Sequence, residues 1–252
     1  MSGKTHTRVA FFDVDGTLTT SPSIFRFLRY YLAFLGHSPR EYEDLQRYIA
    51  TMTVRGFSRE ETNRASFTLF DGADAEMVSE VADRWFEAEL GTGGFYHEPA
   101  LAALRRHQRD GYHVVLVSGA LPACLRPIAE DLGVDDVWCA EPEIVRGRYT
   151  GTIRKRPMIG TAKAVAVANV IARCGTTSEA CISYGDHSSD LPMLEATGAA
   201  VVVGGDGALR AAARANGWFV LPGAPLPPEL PLPRSVHDLS PVPAHHETPE
   251  NA

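Results

Sequence analysis

The sequence predicts an α/β fold: a doubly wound parallel sheet with helices on both faces and an all-helical insertion after the first strand. Three observations lead to this prediction. Residues 9–12 form a short apolar run, typical of a strand buried on both faces. Residues 21–90 show helical periodicity and no strand pattern. From His97 onward strand and helix patterns alternate, which implies right-handed crossovers between parallel strands.

The helical insertion is predicted to contain four amphipathic helices. In the first, Arg26 and Arg29 lie off an apolar face whose residues recur at helical spacing, namely Ile24, Phe27, Leu28, Tyr31, Leu32 and Leu35. The other three are predicted over residues 41–54, 58–70 and 74–90. Ser58 and Glu61 have the spacing of a capping box, and the glycine-rich stretch 91–94 is expected to end the helical block.

The rest of the chain alternates between the two kinds of element. Helices are predicted over 98–109, 121–132, 160–173, 190–196 and 208–215, and strands over 112–117, 136–140, 180–184, 199–203 and 218–221. A hairpin is expected over 143–153. The chain from Pro222 is rich in proline and is predicted to be an extended or disordered arm. The predicted parts are an α/β core (1–20 and 95–222), a helical insertion (21–94) and a tail (223–252).

Composition narrows the function classes. A chain of 252 residues with 44% apolar residues can bury a sizeable core, and its net charge of −7 disfavours nucleic-acid binding. The N-terminus has no apolar signal segment, and no apolar run approaches the ~20 residues of a membrane span. The four cysteines show no metal-binding spacing, so they are interpreted as small buried apolar residues of a cytoplasmic protein.

Three predicted strands end in residues that can carry chemistry. They are Asp13 and Asp15 after the first strand, Ser118 and Gly119 after the second, and Asp186 and Asp190 after a later strand, with Lys163 near the start of a helix. Ligands of open α/β sheets bind at the carboxyl ends of the strands, so these residues are expected to gather at one edge. Clustered carboxylates suit Mg²⁺ and phosphoryl transfer, in which one acid is the nucleophile and a second moves protons.

Each residue has a plainer interpretation when it is taken alone. Ser118–Gly119 and Gly185–Asp186 could be ordinary turns, and Lys163 a solvated helix lysine. His187 has the pattern of a loop histidine, although it could line the site entrance. It is the order of these residues and their positions at strand ends that favour a common site.

These motifs resemble the haloacid dehalogenase (HAD) superfamily, in its phosphoserine-phosphatase-like branch, subfamily IB. The matching segments are Asp13–Thr19, Val117–Gly119, Lys163 and Gly185–Leu194. The resemblance extends over 97–221, and the helical insertion has the position and type of that branch's cap. It implies a Rossmann-like core, with the cap closing over the site and choosing the leaving group. Only the tail is not covered by the resemblance.

The resemblance also implies a role for each matching residue. Asp13 is the nucleophile and a Mg²⁺ ligand, and Asp15 is the general acid and base, with its backbone carbonyl on the metal. Ser118, the Gly119 amide and Lys163 bind the substrate phosphate, Asp186 is a metal ligand, and Asp190 supports the metal shell or Lys163. Two positions depart from the branch. Pro22 stands where a glutamate would read the amino group of phosphoserine, and His187 stands where a small residue is usual.

The expected function is a Mg²⁺-dependent phosphomonoesterase for a small phosphorylated metabolite, acting through an aspartyl-phosphate and not specific for phosphoserine. No nucleic-acid or membrane partner is expected, and the oligomeric state is left open. The alternatives are a phosphoserine phosphatase proper, a phosphotransferase or mutase on the same scaffold, and a non-catalytic phosphate-binding module. The pair of acids after strand one disfavours the last of these, because a binding module has no use for both.

Overall fold

The computed structural model describes residues 8–233 and contains a six-stranded, fully parallel sheet in the order β3-β2-β1-β6-β7-β8. Its strands are β1 (Val9–Phe12), β2 (His113–Ser118), β3 (Asp136–Cys139), β6 (Cys181–Gly185), β7 (Ala199–Val203) and β8 (Phe219–Leu221). A separate antiparallel hairpin joins β4 (Pro142–Val145) to β5 (Arg148–Ile153). Helices flank the sheet, so the predicted α/β class and doubly wound sheet are confirmed.

The α-helices of the described chain lie close to the predicted ones. They are α1 (Ser23–Phe34), α2 (Pro39–Val54), α3 (Arg59–Phe67), α4 (Ala75–Thr92), α5 (Glu98–Arg109), α6 (Pro122–Leu132), α7 (Thr161–Cys174), α8 (Leu191–Leu194) and α9 (Gly207–Asn216). Short 3₁₀ turns cover Thr68–Phe70, Ser178–Ala180 and Ser188–Asp190. The predicted break at 91–94 begins too early, since α4 continues through Thr92 and the chain turns at Gly93, whose φ is +79°.

Strand β1 lies at the centre of the sheet and sets the position of the site. Its four residues are fully buried, and it pairs with β2 on one side and β6 on the other. Phe12 is level with both Leu116 and Tyr184, and its ring stacks on that of Tyr184 at 4.2 Å. The strand order reverses at β1, which is the point where open α/β sheets place their ligands.

Within residues 23–92, helices α1 and α4 form the buried half. Phe27 of α1 contacts Phe70 and Trp85, and all three side chains are buried. Arg26 lies off the apolar face, as predicted, and it forms a two-pronged ion pair with the buried Glu89 of α4 at 2.7 and 2.6 Å. A carboxylate this deep in a protein needs such a partner, since an uncompensated buried charge is strongly destabilising.

The hairpin β4–β5 attaches the segment before α4 to the sheet-bearing part of the chain. The amide of Gly72 donates to the carbonyl of Tyr149 at 2.9 Å, and the Tyr149 amide donates back to Ala73 at 3.0 Å. Ala75 donates to Gly147 at 2.8 Å. These backbone bonds resemble a strand pairing, so this end of the helical segment is firmly held.

The proline-rich segment after β8 has neither helix nor strand through residue 233, yet part of it packs on the protein. We call residues 226–230 the strap. The carbonyl of Pro228 accepts from both terminal nitrogens of Arg26 at 3.2 Å, and Glu229 pairs with Arg29 at 2.7 Å. Leu230 is only 4% exposed and joins the main apolar cluster. The strap therefore ties the chain after β8 to helix α1, which the proline content did not predict.

The remaining predictions concern the chain as a whole. No helix within residues 8–233 has both the length and the apolarity that a membrane crossing requires. All four cysteines are free; Cys124 and Cys181 are buried as expected, whereas Cys139 and Cys174 are half-buried. Residues 234–252 of the predicted tail lie outside the described residues, and the boundaries of core, insertion and tail stay predictions.

Candidate active site

A cavity of about 190 Å³ lies between the carboxyl ends of the central strands and the helical segment. Most of the predicted site residues line it, namely Asp13, Asp15, Ser118, Gly119, Lys163 and Asp190. Asp186 borders the same place, because its carboxylate lies within 4.8 Å of those of Asp13 and Asp190. The folded chain thus brings together all seven residues that the sequence singled out.

Asp13 and Lys163 form the floor of this cavity. The Lys163 ammonium donates to Oδ1 of Asp13 at 2.5 Å and to Oδ1 of Asp190 at 2.6 Å, and all three side chains are buried. The second oxygen of Asp190 accepts from the amides of Asp186 and His187 at 3.2 and 3.1 Å. Both carboxylate oxygens of Asp190 are therefore engaged, one with Lys163 and the other with the loop after β6.

The buried charges alter one another's protonation. Burial raises the pKa of Asp13 well above its usual range, and the nearby Asp190 and Asp186 raise it further while Lys163 opposes them. Burial, followed by the charge of Asp190, raises the pKa of Asp186 to about 6. Burial by itself would lower the pKa of Lys163, but Asp13 and Asp190 together outweigh it and raise that pKa, so Lys163 stays charged.

Asp15 points away from this cluster, toward the helical segment. Its Oδ1 accepts a hydrogen bond of 2.8 Å from the backbone amide of Ser23, the first residue of α1. Burial raises the pKa of Asp15, and the Ser23 amide partly offsets that rise. A helix N-terminus favours negative charge, so α1 both orients this carboxylate and moderates its affinity for a proton. A carboxyl with a raised pKa at a cavity wall can exchange protons with a ligand.

The carboxylates at the site fit a divalent cation. Asp13, Asp186 and Asp190 each offer an oxygen within one cluster. Burial first, and then the charges of neighbouring carboxylates, raise the pKa of Asp13 and of Asp186, and a cation would relieve that repulsion. A side chain at Gly16 would collide with Asp186, since a Cβ there would lie 2.3 Å from Oδ2. Because Asp190 is engaged elsewhere, Asp13 and Asp186 are the side chains best placed to hold Mg²⁺.

Ser118 and Gly119 follow β2 and face the cavity next to Asp13. The Ser118 hydroxyl accepts from the amide of Ala120 at 3.2 Å, which leaves its proton free to be donated elsewhere. A side chain at Gly119 would lie 2.8 Å from Ile159 and 3.1 Å from Asn63. Any larger residue here would make both side chains shift.

Sequence reasoning missed three residues at the site. Thr17 is fully buried, and its hydroxyl lies 3.2 Å from Asp186 and 3.4 Å from Asp13. Arg59 and Asn63, one turn apart on α3, line the cavity from above. The capping box at Ser58 could have indicated them, since it fixes the start of α3 and therefore which residues share a face. His187 instead caps the 3₁₀ turn after it, accepting from the Ser189 amide at 3.0 Å.

A family model described as haloacid dehalogenase-like hydrolase matches residues 10–195, which include every residue of this site. The chain belongs to that family. The sequence resemblance to the HAD superfamily is thereby confirmed, as is the prediction that the protein is an enzyme of the phosphatase class. The helical segment 23–92 falls inside the matched residues, and its bounds as an insertion stay a prediction.

Two curated Mycobacterium tuberculosis proteins (strain H37Rv) are similar to this HAD chain. One, named probable phosphatase Rv3661, is 29% identical over 93% of this chain and 79% of its own length. The other, named phosphoserine phosphatase SerB1, is 28% identical over 85% of this chain and 70% of its own length.

Solved structures share the fold. A Bordetella pertussis Tohama I protein of unknown function superposes with a TM-score of 0.76 at 25% identity, over 86% of this chain and 98% of its own. A phosphoserine phosphatase, solved as a phospho-aspartyl intermediate analogue, superposes with a TM-score of 0.64 at 20% identity, over 86% of this chain and 93% of its own.

Proposed function

We propose that this chain is a Mg²⁺-dependent phosphomonoesterase that hydrolyses a small phosphorylated metabolite through an aspartyl-phosphate on Asp13. The proposal rests on one observation: the two acids after β1 point in different directions and have different partners. Asp13 is held against Lys163 at the cavity floor, whereas Asp15 turns away toward the Ser23 amide. Hydrolysis in two steps needs this pair, one acid to bond phosphorus and one to move protons.

In the first step a carboxylate oxygen of Asp13 attacks phosphorus, and the bond between phosphorus and the leaving oxygen breaks. Protonated Asp15 gives its proton to that oxygen, so the leaving group departs as an alcohol. The raised pKa of Asp15 suits this role, because it keeps a larger protonated fraction near neutral pH. Lys163, the Ser118 hydroxyl and the Gly119 amide would stabilise negative charge on the remaining phosphate oxygens.

In the second step water attacks the phosphorus of the aspartyl-phosphate. Asp15, now ionised, accepts a proton from that water, and the bond to Asp13 breaks to release inorganic phosphate. Asp13 and Asp186, with the backbone carbonyl of Asp15, would hold Mg²⁺. When bound, the cation supplies positive charge that offsets repulsion between these carboxylates and the phosphate dianion. The Thr17 hydroxyl has one proton and can donate it to Asp186 at 3.2 Å or to Asp13 at 3.4 Å.

The substrate is expected to be small and not phosphoserine itself. The cavity of about 190 Å³ has room for a metabolite, and Pro22 is part of its wall. The described carboxylates in that wall are Asp13, Asp15 and Asp190, all of which already have roles. The three acids that could replace the missing glutamate, Glu41, Glu43 and Asp44, do not line this cavity, and Glu41 and Asp44 pair with Ser38 and Arg47. An ammonium group would therefore enter the cavity without a carboxylate partner.

Arg59 gives the wall a positive charge instead. It is exposed to solvent, forms no ion pair with the described residues, and acts electrostatically on Asp15 and Asp186. A leaving group that carries an anionic or hydroxyl group would suit it better than one that carries an amine. Phe25 and Ile24 add an apolar wall, whereas the aromatic residues Phe27, Tyr30 and Tyr31 are buried and pack within the helical segment.

The test is phosphate release from a panel of sugar, polyol, hydroxy-acid, aromatic and amino-acid phosphates in the presence of Mg²⁺. Asp13→Asn serves as the matched inactive control for contaminating phosphatases. Transfer of phosphate to added alcohols, measured in the same reactions, separates a hydrolase from a phosphotransferase. Release from no member of the panel above the control would contradict the proposal.

The proposed binding partner is a small phosphorylated metabolite. The proposed location is the cytoplasm, where cysteines stay reduced, and the four cysteines of this chain are unpaired.

A further inference from the structure

The two halves of the helical segment differ in how firmly they are packed. Helices α1 and α4 bury many side chains, among them Phe27 and Trp85. Helix α2 buries only Ile49, and α3 buries only Ser66 and Phe67. Segments with few buried apolar contacts open at lower free-energy cost than the rest of a protein. Residues 39–67, which we call the lid, are therefore the part of the segment best able to move.

One hydrogen bond runs from the lid to the loop after β2. The side-chain amide of Asn63 donates from Nδ2 to the carbonyl oxygen of Gly119 at 3.0 Å. A carbonyl only accepts, so this contact fixes the orientation of the Asn63 amide. Gly119 leaves room for this bond, since a Cβ there would lie 3.1 Å from that nitrogen and crowd it.

This bond continues into the site. The carbonyl of Gly119 belongs to the same peptide group as the amide of Ala120, and that amide donates to the Ser118 hydroxyl oxygen at 3.2 Å. Hydrogen bonds in series polarise one another, so donation by Asn63 strengthens the bond to Ser118. With its oxygen engaged in this way, the Ser118 hydroxyl has its one proton available for the cavity.

We propose that Asn63 is a positioning residue that couples closure of the lid to the Ser118–Gly119 loop. This inference rests on the proposed function, in which that loop holds the substrate phosphate. Arg59 and Thr62 of the same helix line the cavity, so a leaving group that contacts them draws α3 down. The Asn63 amide then reaches Gly119 and orders the loop. Binding of the leaving group to α3 thus helps to order the loop that holds the phosphate, and this ordering raises kcat.

The closed position carries its own cost. Oδ1 of Asn63 is buried without a hydrogen-bond partner among the described residues. Leaving a buried acceptor unpaired costs at least as much as one new hydrogen bond gains. This cost lowers the stability of the closed position, so a bound ligand can shift the balance between open and closed.

The decisive experiment measures amide hydrogen exchange over residues 39–67 with and without inorganic phosphate and Mg²⁺. Coupling between two sites is reciprocal, so inorganic phosphate that orders the Ser118–Gly119 loop is expected to favour the Asn63 bond and slow exchange of the wild-type lid. Asn63→Ala is expected to remove that protection. Asn63→Asp keeps the size of the side chain but presents an acceptor to the Gly119 carbonyl, so it should have the same effect. Gln46→Ala removes a carboxamide from the exposed face of α2 and should behave as wild type.

Turnover provides a second readout. With the best substrate of the panel, Asn63→Ala should lower kcat/KM by roughly five- to tenfold, the size of one neutral hydrogen bond. With acetyl phosphate, whose leaving group is too small to engage α3, the loss should be below about twofold. An equal loss for both substrates would indicate a merely structural role and overturn the coupling.

The exchange data overturn the coupling in two further cases. One is unchanged phosphate protection of the lid in Asn63→Ala; the other is no protection of the wild-type lid at phosphate concentrations that inhibit turnover. The two proposals fail separately. A wild-type protein that hydrolyses nothing but shows Asn63-dependent protection would refute the phosphatase and support the coupling. A working phosphatase that is indifferent to Asn63 would do the reverse.

Discussion

The floor and the roof of the cavity are built in opposite ways. The floor residues Asp13, Ser118 and Lys163 are 6%, 1% and 2% exposed, and each is fixed by a strand end or a helix start in the sheet-bearing part. The roof is α3, where Arg59 is exposed and Asn63 half-buried on a helix with few buried side chains. The residues proposed to take part in the reaction are thus buried and rigidly held, whereas the helix proposed to contact the leaving group is loosely packed.

The strongest test of this contrast is removal of the nucleophile. Asn at position 13 keeps the shape of the side chain but cannot form the acyl-phosphate bond, so Asp13→Asn should lower kcat by at least about 10⁴-fold. Steady-state assays on the best substrate measure this, with circular dichroism to show that the fold is kept. A variant with a tenth of the wild-type rate would mean that Asp13 is not the nucleophile.

Removal of the metal should have an effect almost as large. Without a cation, Asp13, Asp186 and the phosphate dianion repel one another, and burial raises the pKa of Asp13 so that less of it is ionised. Activity should fall to background in a chelator and return when Mg²⁺ is added in excess. Undiminished turnover in thoroughly chelated buffer would remove Mg²⁺ from the proposal.

Asp15 offers a graded test, because its effect depends on the leaving group. Asp15→Asn should lower kcat by about 10²–10⁴-fold for an alkyl phosphate, whose alkoxide needs a proton. With nitrophenyl phosphate the first step needs no proton, so the loss in that step should be clearly smaller. A pre-steady-state measurement of nitrophenol release separates this step from hydrolysis of the aspartyl-phosphate. Identical losses with both substrates would rule out Asp15 as the general acid.

The strap allows a matched test of packing on the helical segment. Leu230 is 4% exposed and Leu226 is 94% exposed, although both lie in the same proline-rich stretch. Leu230→Ala should reduce the free energy of unfolding by about 2 kcal/mol through lost burial. Leu226→Ala should change it by less than about 0.5 kcal/mol. Urea unfolding of the two variants measures the difference, and equal values would mean that the strap does not pack on α1.

The smallest expected effect concerns substrate choice at Pro22. Phosphoserine should have a lower kcat/KM than the best sugar, polyol or hydroxy-acid phosphate, because its ammonium finds no unengaged carboxylate in the described cavity wall. Parallel assays on these substrates provide the comparison. A tenfold advantage for phosphoserine, about 1.4 kcal/mol of transition-state preference, would refute the argument from Pro22.

The contrast between the strand ends and α3 also explains which site residues could be predicted from the sequence. Residues 9–19 predict a strand that ends in a turn with two acids, because an apolar run is followed at once by carboxylates and Gly16. The site itself was predicted only together with the other strand ends. Arg59 and Asn63 carry no such local constraint, and their place at the site depends on how α3 lies over the sheet. Leu230 was beyond prediction for another reason: it packs into an apolar cluster assembled from distant parts of the chain, and no periodic pattern spans such distances.

That separation has a consequence for the order in which the protein is made. Arg26 and the Pro228 carbonyl that it contacts are 202 residues apart. At ~5–20 residues per second, a ribosome needs roughly ten to forty seconds between making one and the other. Throughout that interval the nascent helix α1 lacks its last neighbour, and the surface that later receives Leu230 is open to chaperones. Helix α1 is thus synthesised long before its packing is complete.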